Sequence, residues 1–70
     1  LDTALLRSFV TLANTGSFIR TAEMVGRTQP AVTLQIRRLE ALLGQPLFAR
    51  SHRNVAVTTA GELLLPYARQ

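Results

Sequence analysis

The sequence has no cysteine, no lysine and only one histidine, His52. Without cysteine the chain can form neither disulfides nor cysteine-based zinc or redox sites, and one histidine cannot build a metal site alone. The four acidic residues are scattered, and there is no glycine-rich phosphate-binding loop, so the groups that catalysis requires are missing. We therefore expect neither enzyme activity nor a cofactor.

Long apolar runs are also missing. No stretch approaches membrane-spanning length, and the N-terminus lacks the basic-then-apolar layout of a signal peptide, so we expect a cytoplasmic location. Seventy residues correspond to one small domain or to a piece of a larger protein. A hydrophobic fraction of 47% with 17% charged residues is typical of a folded chain, although so small a core is only marginally stable.

Acidic residues are scarce in the middle of the chain, where arginine is concentrated. Residues 27–53 hold five arginines and a single acid, Glu40, whereas the remainder holds three arginines and three acids. The whole net charge of +4 therefore lies in one segment. A localised basic surface indicates a polyanionic partner such as nucleic acid, and arginine suits planar, bidentate recognition. The alternative is a solvated charged face.

Capping and stop signals divide the first 44 residues into three helices. Asp2, Ser17 and Thr28 can each cap a helix N-terminus with a side-chain oxygen. Gly16 and Gly44 favour the left-handed conformation that ends many helices, and a further glycine makes a tight turn after the second helix. The predicted helices span residues 3–14, 18–25 and 28–43.

The last third of the chain predicts a hairpin and a fourth helix. Two short apolar runs, residues 47–50 and 55–58, flank a polar turn and predict a β-hairpin with Phe48 as its core anchor. Thr59 and Glu62 have the spacing of a capping box that opens a helix, which we expect to be kinked by a proline and to continue past the chain's last residue. The order of elements predicts a mainly α fold with a small β-hairpin, the winged helix-turn-helix.

The third helix separates into two sides when its residues are placed about 100° apart. One narrow side is apolar and is predicted to face the core. The opposite side is small, polar or cationic and fits a DNA major groove, where glutamine can pair with adenine and an aliphatic side chain can contact the thymine methyl. The core side holds Val32, Ile36, Leu39 and Leu43, and the outer side holds Pro30, Leu34, Arg37 and Ala41, flanked by Arg27, Thr33 and Arg38.

Most of these outer residues also have a structural explanation. Thr28 is a helix cap in any case, and Leu34 could pack against another subunit. The two adjacent arginines could be solvated or could pair with Glu40. Gln35 lies nearer the core side, so a DNA contact from it requires a long reach. Gln29 has no evident structural task, which favours a DNA contact there.

The hairpin turn is polar and cationic. Residues 50–54 read Arg-Ser-His-Arg-Asn, and such a wing can reach an adjacent minor groove, whose negative potential attracts arginine. An exposed polar turn explains the serine and the asparagine, but it does not require two arginines, Arg50 and Arg53. For His52 a turn position or a phosphate contact is favoured over metal ligation or catalysis.

Three segments carry a resemblance to a known family: TQPAVTLQIRRLE in the third helix, with PLFAR and TTAGE around the hairpin. At these distances they resemble the N-terminal DNA-binding domain of LysR-type transcriptional regulators, over essentially the whole chain. The resemblance implies a winged helix-turn-helix domain over residues 1–58 and, over residues 59–70, the start of a linker helix through which two subunits pair. It also implies that a C-terminal domain that binds a small-molecule effector is absent from this chain.

The resemblance further implies a recognition helix at about residues 28–43 in the major groove, with a homodimer or higher homo-oligomer on an interrupted inverted repeat of double-stranded DNA. The residue analysis and the resemblance together predict DNA contacts at Arg27, Thr28, Gln29, Pro30, Thr33, Leu34, Gln35, Arg37, Arg38, Arg50, His52 and Arg53. Dimer contacts are predicted at Leu63, Leu64 and Tyr67.

A second class of function stays open at this level. A winged helix can bind protein through its outer face, and Leu34 with the leucines that follow Glu62 would then form an apolar interface. The concentration of positive charge in one segment favours DNA over that alternative.

Overall fold

A computed structural model describes residues 3–50 and 55–69 of the chain. Its elements follow the predicted order, which confirms the mainly α fold with a small β-hairpin. Predictions for Asp2 as a cap and for the turn at residues 51–54 lie outside the described residues. The elements are α1 (Thr3–Thr15), α2 (Phe18–Val25), α3 (Gln29–Leu43), β1 (Phe48–Arg50), β2 (Val55–Val57) and α4 (Thr59–Ala68).

The boundaries of the first three helices follow the signals in the sequence. The Ser17 side chain accepts a hydrogen bond from the Arg20 amide, and the Thr28 side chain accepts one from the Ala31 amide, so both caps are confirmed. Gly26 ends α2 with a φ of 71°, a conformation that side chains with a Cβ rarely adopt. This glycine lets the chain turn sharply from α2 into α3.

The core lies where α1, α2 and α3 meet and extends to the start of the hairpin. Val32, Ile36 and Leu39 are buried, as the apolar side of α3 predicted. The hairpin is anchored differently from the prediction: Leu47 is fully buried, whereas Phe48 is only half-buried. The Phe48 ring still packs edge-on against the ring of a core phenylalanine, with the two centroids 5.5 Å apart.

The prediction that Leu43 belongs to the core was wrong. Its side chain is 39% exposed. Leu43 is the last residue of α3, where the helix has run past α1 and α2 and reaches the flank of α4. Helical spacing correctly places Leu43 on the same side of α3 as the core residues. It does not show how far along α3 the other helices cover that side.

The capping box predicted for α4 was also wrong by one residue. Thr58, not Thr59, is the N-cap, because its Oγ1 accepts a hydrogen bond from the Gly61 amide. The same hydroxyl donates to the Pro46 carbonyl over 2.7 Å, and the Thr58 amide donates to the Leu47 carbonyl over 2.9 Å. Thr58 therefore starts the helix and also ties its N-terminus to the chain that enters the hairpin.

The hairpin and α4 approach each other most closely at Gly61. The two strands pair antiparallel, with Phe48 opposite Val57. Gly61 is buried against them, and a Cβ placed on it would lie 2.5 Å from the Leu47 carbonyl oxygen and even closer to a Val57 methyl group. Glycine is required at this position by space and not by backbone conformation.

No helix in the described part of the chain is long and apolar enough to cross a membrane.

This close contact predicts the effect of Gly61→Ala. Alanine normally favours a helix over glycine by about 1 kcal/mol, but overpacking against a backbone carbonyl costs about 1–3 kcal/mol, so we expect a net loss of stability. Thermal unfolding followed by far-ultraviolet circular dichroism measures it. Thr59→Ala, at an exposed position of the same helix, is the control and should change little. A more stable Gly61→Ala variant would show that α4 is not seated on the hairpin.

Candidate nucleic-acid interface

The outer side of α3 forms a shallow concavity with a volume of about 390 Å³. Every residue that lines it was predicted as a DNA contact, and the structure brings them together on one side of the helix. Four of them are exposed and the threonine is half-buried. The lining residues are Gln29, Pro30, Thr33, Leu34 and Arg37.

The chemistry of this surface suits base edges better than it suits an apolar partner. Gln29 and Thr33 can both donate and accept hydrogen bonds, and Arg37 brings positive charge. Leu34 is 49% exposed and lies with Pro30 in the same concavity, so an apolar area adjoins these polar groups. In the DNA major groove, the hydrogen-bonding edges of the bases lie beside the methyl group of thymine, and this mixture matches the side chains of the concavity.

The start of α3 adds positive potential to the same surface. Thr28 is exposed, its Oγ1 accepts from the Ala31 amide over 3.3 Å, and Pro30 occupies the first turn. The free amides of a helix N-terminus and the helix dipole both favour a negative group there. The cap thus fixes where the helix begins and leaves its positive end facing the solvent.

The arginines around this surface differ in how they are held. Arg27 and Arg38 are exposed, and within residues 3–50 and 55–69 neither forms an ion pair or hydrogen bond through its guanidinium. The Arg50 guanidinium carbon instead lies 4.6 Å from the centroid of the Phe18 ring, a cation–π contact that ties the base of the wing to α2. His52 and Arg53 lie outside the described residues.

Glu40, the one acid of the basic segment, does not pair with the arginines beside it in the described structure. Its Oε2 accepts a hydrogen bond from the Leu47 amide over 2.7 Å and a longer one, 3.4 Å, from the Phe48 amide. The carboxylate therefore joins α3 to the first strand of the hairpin. The isolation of one acid among five arginines is a signal in the sequence that Glu40 has a specific partner, but local patterns do not reveal that the partner is the hairpin backbone.

Gln35 is not on the outer surface. It is 9% exposed, and its Oε1 accepts a hydrogen bond of 2.5 Å from the hydroxyl of Ser8, which is 1% exposed. This bond joins α1 to α3 beside the apolar core, a pairing over 27 residues that local patterns in the sequence could not reveal. Within the described residues the Gln35 amide nitrogen has no hydrogen-bond partner.

The residues predicted for dimerisation also lie together. Leu63 and Tyr67 are 69% and 73% exposed, and with the half-buried Leu64 they line a groove of about 290 Å³ between α4 and the end of α3. Leu43, the exposed leucine of α3, forms the opposite wall. The groove is lined mainly by apolar side chains and, unlike the concavity on the outer side of α3, contains no arginine among the described residues.

A tight glycine turn joins two helices, the second of which exposes a polar and cationic side, and a β-hairpin follows. Together these features define a winged helix-turn-helix DNA-binding domain. Residues 3–62 match the model of a family described as bacterial regulatory helix-turn-helix protein, lysR family. The chain therefore belongs to the LysR family and corresponds to the helix-turn-helix DNA-binding domain of that family. The LysR family is a family of regulators and not of enzymes.

Individual relatives agree with this assignment. The chain is 56% identical over 64 residues to the HTH-type transcriptional regulator AbaB of Streptomyces antibioticus, covering 91% of this chain and 21% of that protein. A solved structure of Corynebacterium glutamicum OxyR, a C206S mutant with bound H2O2, superposes with a TM-score of 0.94 at 43% identity, covering 97% of this chain and 21% of that one. The CbnR DBD–DNA complex gives 0.92 at 36% identity, covering 99% and 79%.

The Ser8–Gln35 bond leads to a prediction about stability. Ser8→Ala leaves the Gln35 carbonyl oxygen without its partner, which should lower the free energy of unfolding by about 1–3 kcal/mol. Adding Gln35→Met, which removes the orphaned oxygen at similar volume, should recover part of that loss. Urea unfolding of both single variants and the double variant measures the coupling, with Thr11→Ala as a control because its hydroxyl bond is exposed. Strictly additive effects would contradict the bond.

Proposed function

We propose that the chain reads a specific DNA sequence by inserting α3 into the major groove, as part of a longer LysR-type transcriptional regulator that acts in the bacterial cytoplasm. The observation that carries this proposal is the concavity in which Gln29, Thr33, Leu34 and Arg37 meet. The close likeness to the CbnR DBD–DNA complex supports the docking of the same helix.

Within this proposal the residues divide by the part of DNA that they contact. Gln29 and Thr33 contact base edges, since they can donate and accept, and Leu34 contacts a thymine methyl. Arg37 and Arg38, further along the helix, contact phosphates and set its register. Thr28 and Pro30 start the helix and bring its N-terminus near the backbone.

The wing and its surroundings contribute contacts that do not depend strongly on sequence. Arg50, which the Phe18 ring holds in place, and Arg53 approach the minor groove or the backbone next to it. His52 contacts phosphate, as does Arg27. The Gln35 oxygen accepts the Ser8 hydroxyl, which leaves the two N–H donors of its amide nitrogen for a DNA contact. The predicted contact from Gln35 would have to come from that nitrogen, because the side chain is only 9% exposed.

We also propose that two copies pair through α4. Leu63, Leu64 and Tyr67 offer an apolar surface of the kind that subunit interfaces bury. A two-fold dimer places two recognition helices on inverted half-sites, so the target would be an interrupted inverted repeat of double-stranded DNA. In this arrangement residues 1–58 form the reading domain, and residues 59–70 begin the linker helix.

The chain spans about a quarter or less of the length of the curated relatives that it matches, 21% of AbaB and 24% of HdfR from Salmonella newport (strain SL254). The activity of such a whole protein involves parts beyond this domain. We propose that a small-molecule effector acts through a C-terminal domain and not through the residues described above.

The first experiment is a selection from a pool of duplexes in which two randomised half-sites are inverted about a spacer of varied length. An enriched inverted repeat is the expected result. Salt-sensitive binding without enrichment would leave a basic surface that does not read bases, and no binding at low salt would favour the protein-binding alternative.

Two variants should separate base reading from phosphate contact. Gln29→Ala should flatten the base preference at one or two positions and cost about 1–3 kcal/mol on the selected duplex only. Arg38→Ala should weaken binding to all duplexes and reduce the slope of log K against log salt by roughly 0.9. Arg20→Ala, at an exposed position of α2 outside the predicted DNA-contact set, is the charge-matched control. If Gln29→Ala and the parent show the same base preference, the insertion of α3 into the major groove is contradicted.

The dimer surface is tested by its association state. Leu63→Glu combined with Tyr67→Glu should shift sedimentation equilibrium toward the monomer, because two charges would have to be buried in an apolar interface. Ile19→Glu changes an equally exposed residue of α2 and should leave association unchanged. A parent chain that stays monomeric at high concentration and also occupies half-sites independently would contradict pairing through α4.

A further inference from the structure

A second concavity, of about 270 Å³, lies between α1 and the α2–α3 turn. It is distinct from the one on the outer side of α3 and contains one residue of the predicted DNA-contact set, Arg27. Its other walls come from α1 and from the end of α2. The lining residues are Thr3, Ala4, Arg7, Ser8, Val25 and Arg27.

Among the described residues that line this cleft, the charged ones are all cationic. Arg7 and Arg27 are both exposed, and within the described ranges 3–50 and 55–69 neither guanidinium has an ion-pair or hydrogen-bond partner. Two guanidiniums with only N–H donors, together with a threonine hydroxyl, form a surface that complements a group made only of acceptors.

The cleft is attached directly to the recognition helix. Arg27 immediately precedes Thr28, the N-cap of α3, and its amide donates to the Ala22 carbonyl over 2.9 Å, which fixes the backbone of the turn. Ser8 lines the cleft and is hydrogen-bonded to Gln35 on α3. The cleft and the outer side of α3 therefore keep a fixed relation when the helix docks.

We propose that this cleft holds a phosphate of the DNA backbone beside the groove that α3 enters, with Arg7 of α1 and Arg27 of the turn as its two ligands. The inference rests on the proposed function and adds α1 to the DNA-binding surface. Continuity with the start of α3 and the unpaired positive charge select the nucleic-acid backbone as the occupant. Because a phosphate is the same at every base step, the contact adds affinity and register but no base preference.

The primary test measures the salt dependence of binding for Arg7→Gln, Arg27→Gln and the double variant on the selected duplex. Each single variant should lose affinity at low salt and reduce the slope of log K against log salt, and the double variant should reduce it by roughly 0.9, the value for one phosphate. Base preference should be unchanged. Arg20→Gln removes the same charge from an exposed position of α2 that does not line the cleft, and it controls for the general field.

A methylphosphonate scan locates the phosphate. Replacing one phosphate at a time in the duplex with an uncharged methylphosphonate should reveal a position at which the parent loses affinity and the Arg7→Gln variant does not. Circular dichroism checks that each variant folds, as expected for exposed positions.

Three outcomes overturn the proposal. The first is that Arg7→Gln affects binding no more than Arg20→Gln does. The second is that its sensitivity to every methylphosphonate matches that of the parent. The third is that it changes the base preference. If Gln29→Ala also has no effect, the failure belongs to the docking of α3. If Gln29→Ala changes the base preference as expected and Arg7→Gln has no effect, the docking of α3 stands and only the phosphate site in the cleft is rejected.

Discussion

The helix α3 is held from one side only, and the rest of the molecule depends on this constraint. Val32, Ile36 and Leu39 are buried on a narrow stripe, and each contributes about 1.5–3 kcal/mol relative to an exposed position. A wider apolar stripe would stabilise a small domain further, but it would occupy the side that meets DNA. The domain therefore anchors its reading helix with few side chains and adds polar bonds at the margins of the stripe.

Those polar bonds fix the helix against rotation and tilt. Ser8 holds Gln35 on the side of α1, and Glu40 holds the Leu47 amide on the side of the hairpin. A buried hydrogen bond contributes only about 1 kcal/mol net, yet it is directional in a way that apolar burial is not. Two such bonds, from residues five positions apart on α3, define the orientation in which its outer residues are presented.

Local signals in the sequence accounted for most of the fold and for much of the candidate interface. Caps and glycines act within a few residues, so Ser17, Thr28 and the three helix-ending glycines could be assigned directly. Two adjacent threonines offer two nearly equal caps, and the bonds that Thr58 makes to the Pro46 and Leu47 carbonyls favour Thr58. Periodicity likewise placed Pro30, Thr33, Leu34 and Arg37 on one side of α3. It could not show that Ser8 donates to the oxygen of Gln35, because that contact depends on the packing of α1.

Gly61 couples the hairpin to the fourth helix. The absence of a side chain lets the backbone of α4 meet the Leu47 carbonyl directly, with Thr58 bonding both segments. The start of α4 is therefore held against the chain that enters the hairpin. Because Glu40 also ties that chain to α3, a shift of α4 in the proposed dimer would be passed on to the hairpin and to the recognition helix together.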